Sequence, residues 1–370
     1  MSELKTNKIS TNDQNNVAID NALGLKSYTT SLRDGLTSVA GDMIYNSDDA
    51  KVQVYTGSAW ENVGTPATLD VDFLVVGGGG SSHDSLGTGG GGSGGVISTV
   101  DNNGGGSSLE SPYTMNIDED YTVTIGGGGA INSRAGTCTN FGKFVAFAGG
   151  SGASQSRGAY PGGGGARFSG AGTTYPTYAD TFGETSNAFI EMTGGSTKQN
   201  FRGAGGDYNY GRAAGGGAGE VGNTDGGGEG GDGIICNILT TTQATAASVG
   251  EVVSTDVYYG GGGGGGSYYS GTDHNNNGGL GGGGKGAINT TTNGVAGTAN
   301  TGGGGGGNGQ SGNPGAGGSG VVIIKYPDTY TITVGAGLVV HTPTSPPTGY
   351  TLKVFTGGTG TISFSWYNRR

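Results

Sequence analysis

Val71-Asp72-Phe73-Leu74-Val75-Val76-Gly77-Gly78-Gly79-Gly80 joins two textures that rarely meet. Its first six residues are mostly β-branched or aromatic, the kind that strands pack. Its last four carry no side chain. Glycine loses more backbone entropy on folding than any other residue. A glycine run that continues a strand therefore needs a source of stability other than side-chain burial.

The same juxtaposition recurs outward from this stretch, in Tyr121-Thr122-Val123-Thr124-Ile125-Gly126-Gly127-Gly128-Gly129 and in Gly317-Gly318-Ser319-Gly320-Val321-Val322-Ile323-Ile324-Lys325-Tyr326-Pro327. Glycine makes up 89 of the 370 residues and gathers in runs at 77–80, 89–92, 260–266, 281–284 and 302–307. Such runs have two physical solutions. One is a flexible linker. The other is an extended threefold helix of the polyproline II type, which makes no internal hydrogen bonds and so must find every main-chain partner in a neighbour. Only bare glycine lets backbones approach closely enough to supply those partners. A linker has no use for interleaved β-branched clusters, so the ordered solution is expected: a mainly β fold with packed polyglycine type II helices, small β modules at both ends and almost no α-helix.

Three segments are predicted. Residues 1–67 have ordinary glycine content and read as a β-rich attachment or oligomerisation module. In it, Ser31 stands as a helix N-cap, and Gly41-Asp42-Met43-Ile44-Tyr45-Asn46 pairs with Lys51-Val52-Gln53-Val54-Tyr55 ahead of a second turn ending at Trp60. Residues 68–327 form the glycine-rich domain. Residues 328–370 form a C-terminal β module with strands at 329–334, 351–355 and 361–367 separated by Pro/Gly turns.

The formal net charge of −11, with only 12% charged residues, argues against nucleic acid as a partner. The N-terminal residues lack an apolar signal-peptide core, and no apolar stretch nears the roughly 20 residues that span a bilayer, so neither export nor membrane insertion is expected. Cys138 and Cys236 are expected as reduced thiols, with a disulfide between them left open.

The strand and glycine stretches quoted above resemble the glycine-rich domain of bacteriophage tail-fibre and adhesin-like proteins, especially marine ones. Ala40-Gly41-Asp42-Met43-Ile44-Tyr45-Asn46 with Val52-Gln53-Val54-Tyr55-Thr56-Gly57-Ser58-Ala59-Trp60 resembles a short module of the same fibre proteins. The resemblance implies a virion protein that docks on other virion proteins, forms a homo-oligomer with a trimer favoured, and recognises a bacterial surface glycan or outer-membrane protein. It also implies that polyglycine helices form the scaffold and the inserts between them the receptor-contacting tip. No residue-level motif transfers with it.

Composition points to the same inserts. Tyr160, Tyr208, Tyr210, Tyr258, Tyr259, Tyr268 and Tyr269 sit at or beside the ends of glycine runs, and Asp207, Asn209, Asp273, His274, Asn275, Asn276 and Asn277 lie among them. This is the Tyr, Ser, Gly and Asn mixture from which paratopes are built, and its polar members suit sugar hydroxyls. The bland reading is that each tyrosine covers exposed backbone and has its hydroxyl satisfied locally.

Catalysis finds no constellation. His83, His274 and His341 lack metal-ligand spacing, and the phosphate-loop likeness at 279–286 fails because Lys285 precedes Gly286 where Ser or Thr is needed. Residues 227–235 match one calcium-binding nonapeptide, but that mechanism needs tandem copies. If a metal were bound, Asp232, Glu229 and Asp225 would hold it. No cofactor and no enzymatic activity are expected. The competing readings are a purely structural decoration or filament subunit, and a fibre-borne glycan hydrolase for which no acidic pair stands out.

Overall fold

The structure is a computed structural model and describes residues 24–64, 67–83, 89–131, 135–152, 199, 213–223, 228–267, 275–288, 292–309 and 312–366. The chain divides into two compact units, Met1–Ala67 and Thr68–Arg370.

In the first unit, strands β1 (Ser27–Tyr28), β2 (Met43–Asn46), β3 (Lys51–Tyr55) and β4 (Trp60–Asn62) form one sheet in that order. Helix α1 (Thr30–Asp34) is capped by Thr29, whose side chain accepts from Leu32 N, and not by the expected Ser31. Asn46 opens the turn of the β2–β3 hairpin: its Oδ1 accepts from Asp48 N at 3.0 Å, an Asx turn. The buried face is largely polar. Asn46 donates to Gln53 Oε1, and Gln53 donates to Asp49 and Asn62.

The second unit is mostly β, and its main sheet is a nearly closed, barrel-like surface. Its strands are β5 (Thr68–Val76), β6 (Val96–Ser98), β7 (Tyr113–Asn116), β8 (Tyr121–Thr124), β9 (Thr139–Phe141), β10 (Phe144–Ala146), β14 (Val321–Pro327), β15 (Tyr330–Val334), β16 (Leu338–His341) and β17 (Tyr350–Trp366). The path runs β10-β9-β8-β17-β14-β5-β6. A small second sheet holds β11 (Ile234–Ile235), β12 (Glu251–Val253) and β13 (Asp256–Tyr259), beside helix α2 (Thr241–Ala247).

The C-terminal strands are not a separate module, which corrects the expected division at residue 328. β17 pairs with β14 (Val322 to Phe355) and then β8 (Thr124 to Thr359) on one edge, and with β16 and β15 on the other. The expected turn around Gly357 is instead strand, with a left-handed Gly358 (φ 88°) that lets one 17-residue strand bend through both halves of the sheet. β16 was not expected from the sequence. A register shift between Val339 and Val340 disrupts its alternation.

From Phe73 to Val76 in β5 and from Val321 to Ile324 in β14 both faces are apolar because both faces are covered. Val71, Phe73 and Val75, with Val322, Ile324 and Tyr326, enter the barrel interior against Phe141, Phe144, Phe355 and Phe364. Phe73 lies 4.5 Å from Phe144 and 5.6 Å from Phe141, ring centre to ring centre. The alternate residues Leu74, Val76, Val321 and Ile323 face a second core built with Leu239, Ala244, Val257 and Tyr259.

The sheet hands its register to the glycine runs. β5 pairs Val76 with Val96 on one side and with Val321 on the other. Past Val76 the same neighbours continue: Gly77 N donates to Gly95 O and Gly80 N to Gly92 O, while Gly79 N donates to Gly318 O and Ser82 N to Gly315 O. Each bond falls three residues after the last on its side, the period of a threefold extended helix.

Candidate functional site

Run 302–307 shows how the bundle is held. Its amides donate to Ser319 (from Gly302), Gly261 (from Gly304), Gly80 (from Gly305), Val295 (from Gly306) and Gly264 (from Gly307). Its carbonyls accept from Gly94, Gly318, Gly284, Gly91, Gly315 and Ala287. Partners three apart repeat on one neighbour: Gly261 and Gly264 lie in run 260–266, and Gly318 and Gly315 in the run entering β14. Run 302–307 is thus an axial rod ringed by six others. Run 260–266 is held the same way, with Gly262 and Gly265 donating to Gly231 and Gly228, and Gly260 and Gly263 accepting from Ala218 and Gly215. No side-chain core is needed, because every rod's main chain is its neighbours' hydrogen-bond partner.

This lattice aligns the ends of the runs. Near the sheet lie Gly77, Gly95, Gly260, Gly302 and Gly320. At the opposite end stand the residues that border inserts 84–88, 268–274, 289–291 and 310–311. There the buried Ser82 Oγ donates to Gly89 O at 2.7 Å across the first of these. Asn308 Nδ2 donates to Gly312 O at 2.8 Å across the last. Ala287 O accepts from both Ser267 N (2.9 Å) and Asn276 Nδ2 (2.8 Å), which flank insert 268–274. Segment 153–198 leaves from Gly152 at this far end, while Gln199 lies near the sheet, where its side chain joins Phe147 N to Val145 O.

Of the sequence-predicted binding residues, Tyr160, Asp207, Tyr208, Asn209, Tyr210, Tyr268, Tyr269, Asp273 and His274 lie outside the described residues. Tyr258 and Tyr259 do not belong to an insert: both are in β13, at the sheet end. Tyr258 is half-buried between Glu251 and Ile235 of the adjacent strands. Tyr259 is fully buried and has no surface to offer a receptor, because strand alternation turns it into the second core. Its hydroxyl has no hydrogen-bond partner, and burial pushes its pKa well above the usual tyrosine value. Asn276, expected as a sugar-binding group, is likewise buried and serves the scaffold.

Asp232 is half-buried, and its Oδ1 accepts from Leu280 N at 2.6 Å. Glu251 Oε2 accepts from Gly281 N and Gly282 N at 2.7 and 2.8 Å. Together the two carboxylates hold the turn between adjacent glycine runs, whose left-handed glycines (φ 98° and 89°) leave three successive amides in need of acceptors. Desolvation raises the Asp232 pKa, with Glu220, Glu251 and Glu229 adding repulsion. Glu229 accepts from Asn223 and Asn275, and Asp225 lies outside the described residues. Among the described residues, no group of three or more His, Cys, Asp or Glu is arranged to hold a metal ion, and no helix is long and apolar enough to cross a membrane.

Cys138 and Cys236 are both free thiols. Burial pushes Cys236 up to about 11, so it is inert at neutral pH and packs as a small hydrophobe beside Ser98. The residues that composition missed are the clamps Ser82 and Asn308, and it gave Asn276 a different role. Their signal was positional: a small polar side chain at the end of a glycine run, where it can reach a nearby main-chain carbonyl.

Comparison with known proteins is consistent with this architecture. A family model described as a glycine-rich domain matches residues 55–327. No curated protein and no solved structure matches the chain. The match spans most of the chain, from the last strands of the first unit to the end of β14, and the chain belongs to the glycine-rich domain family.

Proposed function

We propose that this chain is a bacteriophage virion appendage subunit, a non-enzymatic adhesin that binds a receptor on the bacterial surface through the inserts between its polyglycine rods. The observation that carries this reading is the gathering, at one end of a bundle of rods bonded chiefly main chain to main chain, of the residues that border inserts 84–88, 268–274, 289–291 and 310–311. Such a scaffold tolerates any insert whose two ends meet the fixed rods, so the tip can vary while the fold does not. The tyrosine, asparagine and aspartate content of 200–212 and 268–274 suits a surface that contacts sugar hydroxyls or protein. The likeness to phage tail-fibre proteins supports the virion setting, the docking on other virion proteins and a homotrimeric assembly.

Exchanging residues 200–212 and 268–274 for the corresponding inserts of a relative with a different host tests the reading. Adsorption should follow the inserts while the protein keeps its cooperative unfolding transition. Unchanged adsorption by well-assembled particles overturns the adhesin role, and failed assembly of well-folded protein points to a structural decoration.

A further inference from the structure

We infer that one face of the first unit's sheet is the surface on which copies of this chain meet, an inference that rests on the homo-oligomeric part of the reading above and on nothing of its receptor. Cross-strand pairing sorts the four strands into two faces. Ile44, Gln53 and Asn62 form one row, with Asn46 on the same side. Helix α1 covers that side: Arg33 Nη1 donates to Gln53 Oε1 at 3.0 Å, and Asn46 Nδ2 donates to Thr30 Oγ1 at 3.1 Å. The opposite face carries Met43 and Val54, and beside them the row Tyr45, Val52 and Val63.

The ordinary arrangement is inverted, with amides covered and apolar side chains bare. Met43 is 45%, Tyr45 38% and Val63 46% exposed, against 5% for Ile44, the only large apolar side chain buried among the described residues of this unit. A unit as small as Met1–Ala67 with one such side chain inside lacks a core of its own, and oligomerisation is the common remedy.

Charge selects the partner. The formal net charge of −11 sets two copies against each other wherever their carboxylates meet. This face escapes that repulsion. Its two central strands bring Met, Tyr and Val, while its polar members, Ser27 and Glu61, lie on the edge strands β1 and β4. An apolar centre containing Tyr and Met, with charge confined to the rim, is the anatomy of a protein interface. A basic partner gains nothing from an uncharged face, whereas a second copy of an acidic chain needs one.

Area sets the strength. The bare apolar surface is on the order of 300 Å², the size that marks interaction sites on monomers. A standard interface uses about 800 Å² per partner. Copies therefore associate reversibly through this face, and dilution separates them.

Sedimentation velocity of the full chain from about 1 to 100 μM tests this, with Tyr45→Thr/Val63→Thr as the variant, because threonine keeps strand propensity while removing apolar surface. The parent should associate as concentration rises, and the variant's association constant should fall about tenfold or more, as on loss of a central aromatic. Val339→Thr, at a side chain 60% exposed on β16, should leave association unchanged. In the unmodified chain, the Met43 methyl NMR signal should shift as copies associate and the Val339 methyls should not. A parent that stays monomeric overturns both this inference and the homo-oligomeric reading, as it would if another virion protein covered the face; adsorption after insert exchange still reads the receptor role separately. An oligomer that survives in the double variant, dissociates equally in Val339→Thr, or forms without moving the Met43 signal overturns this surface alone.

Discussion

The α-carbon of Gly304 faces the Gly91 carbonyl so closely that a β-carbon added there would overlap it. Gly91 cannot withdraw, because its carbonyl accepts from Gly263 N and its own amide donates to Gly305 O. Gly304→Ala should therefore force the axial rod and run 89–92 apart and break bonds on both. A destabilisation of at least about 3 kcal/mol is expected from overpacking and stranded main-chain groups. Gly349→Ala is the comparison: it has open space around it and only its left-handed φ of 82° to oppose a side chain, so it should cost about 1 kcal/mol. Urea unfolding of both variants checks the difference, and equal costs would show that the rods are not in contact.

Tyr259→Phe should leave stability unchanged or raise it, by up to about 1–3 kcal/mol, because it deletes a buried hydroxyl that has no partner and keeps the ring that fills the second core. Tyr259→Ala, by contrast, should lose about 3–5 kcal/mol through the cavity it leaves. Chemical denaturation distinguishes the two. A phenylalanine variant weaker than the parent by more than about 1 kcal/mol would mean the hydroxyl is bonded after all.

Asp232, at the turn between two glycine runs, gives the chain's stability a pH dependence of defined sign. Its pKa is raised in the fold, chiefly by desolvation, so between the ordinary carboxylate value and the raised one the folded chain binds more protons than the unfolded chain. Its contribution to stability therefore grows as pH falls through that window and is lost again as pH rises above it. Asp232→Asn keeps an oxygen for Leu280 N and removes the charge that Glu220, Glu251 and Glu229 repel. The variant should exceed the parent in stability at neutral pH, with the gap closing below about pH 4, where an ordinary aspartate is protonated. Thermal unfolding across pH 4–8 reads this directly, and a variant weaker at neutral pH would show that the ionised carboxylate is needed to hold the turn.

The sequence disclosed the scaffold more fully than the tip. Val71 to Gly80 already contained the decisive argument, since strands that feed glycine runs must share neighbours with them, and the Val76–Val96 and Val76–Val321 pairs pass their register to Gly77 and Gly79 as that argument requires. Helix α2 was also legible and was missed: Thr240 and Gln243 have the spacing of a capping box, and both of its bonds form. Tyr258 and Tyr259 misled because adjacency to a glycine run does not say which end of the run it is. Both ends have the same composition, and only pairing to Ile234 and Ile235 puts this one at the sheet. The partners of Asp232 and Asn276 lie on other rods, and glycine runs of similar composition give no clue to which rods are adjacent.

The last prediction concerns the C-terminal strands, which the sequence sets apart and the fold does not. Ending the chain after Pro327 would remove β17, the strand with which both β14 and β8 pair, and open the barrel-like sheet at its centre. It would also take Leu352, Val354, Phe355, Ile362 and Phe364 out of the two cores, all of them buried. At about 1.5–3 kcal/mol for each fully buried side chain, the loss is comparable to the whole 5–15 kcal/mol that holds a typical domain. The glycine rods would fail with the sheet, because Gly317 and Gly318 reach the bundle as the direct continuation of β14. The truncated chain should therefore show no cooperative thermal transition and no slowly exchanging amides in run 302–307. Retained protection there would mean that the polyglycine bundle folds independently of the strands that feed it.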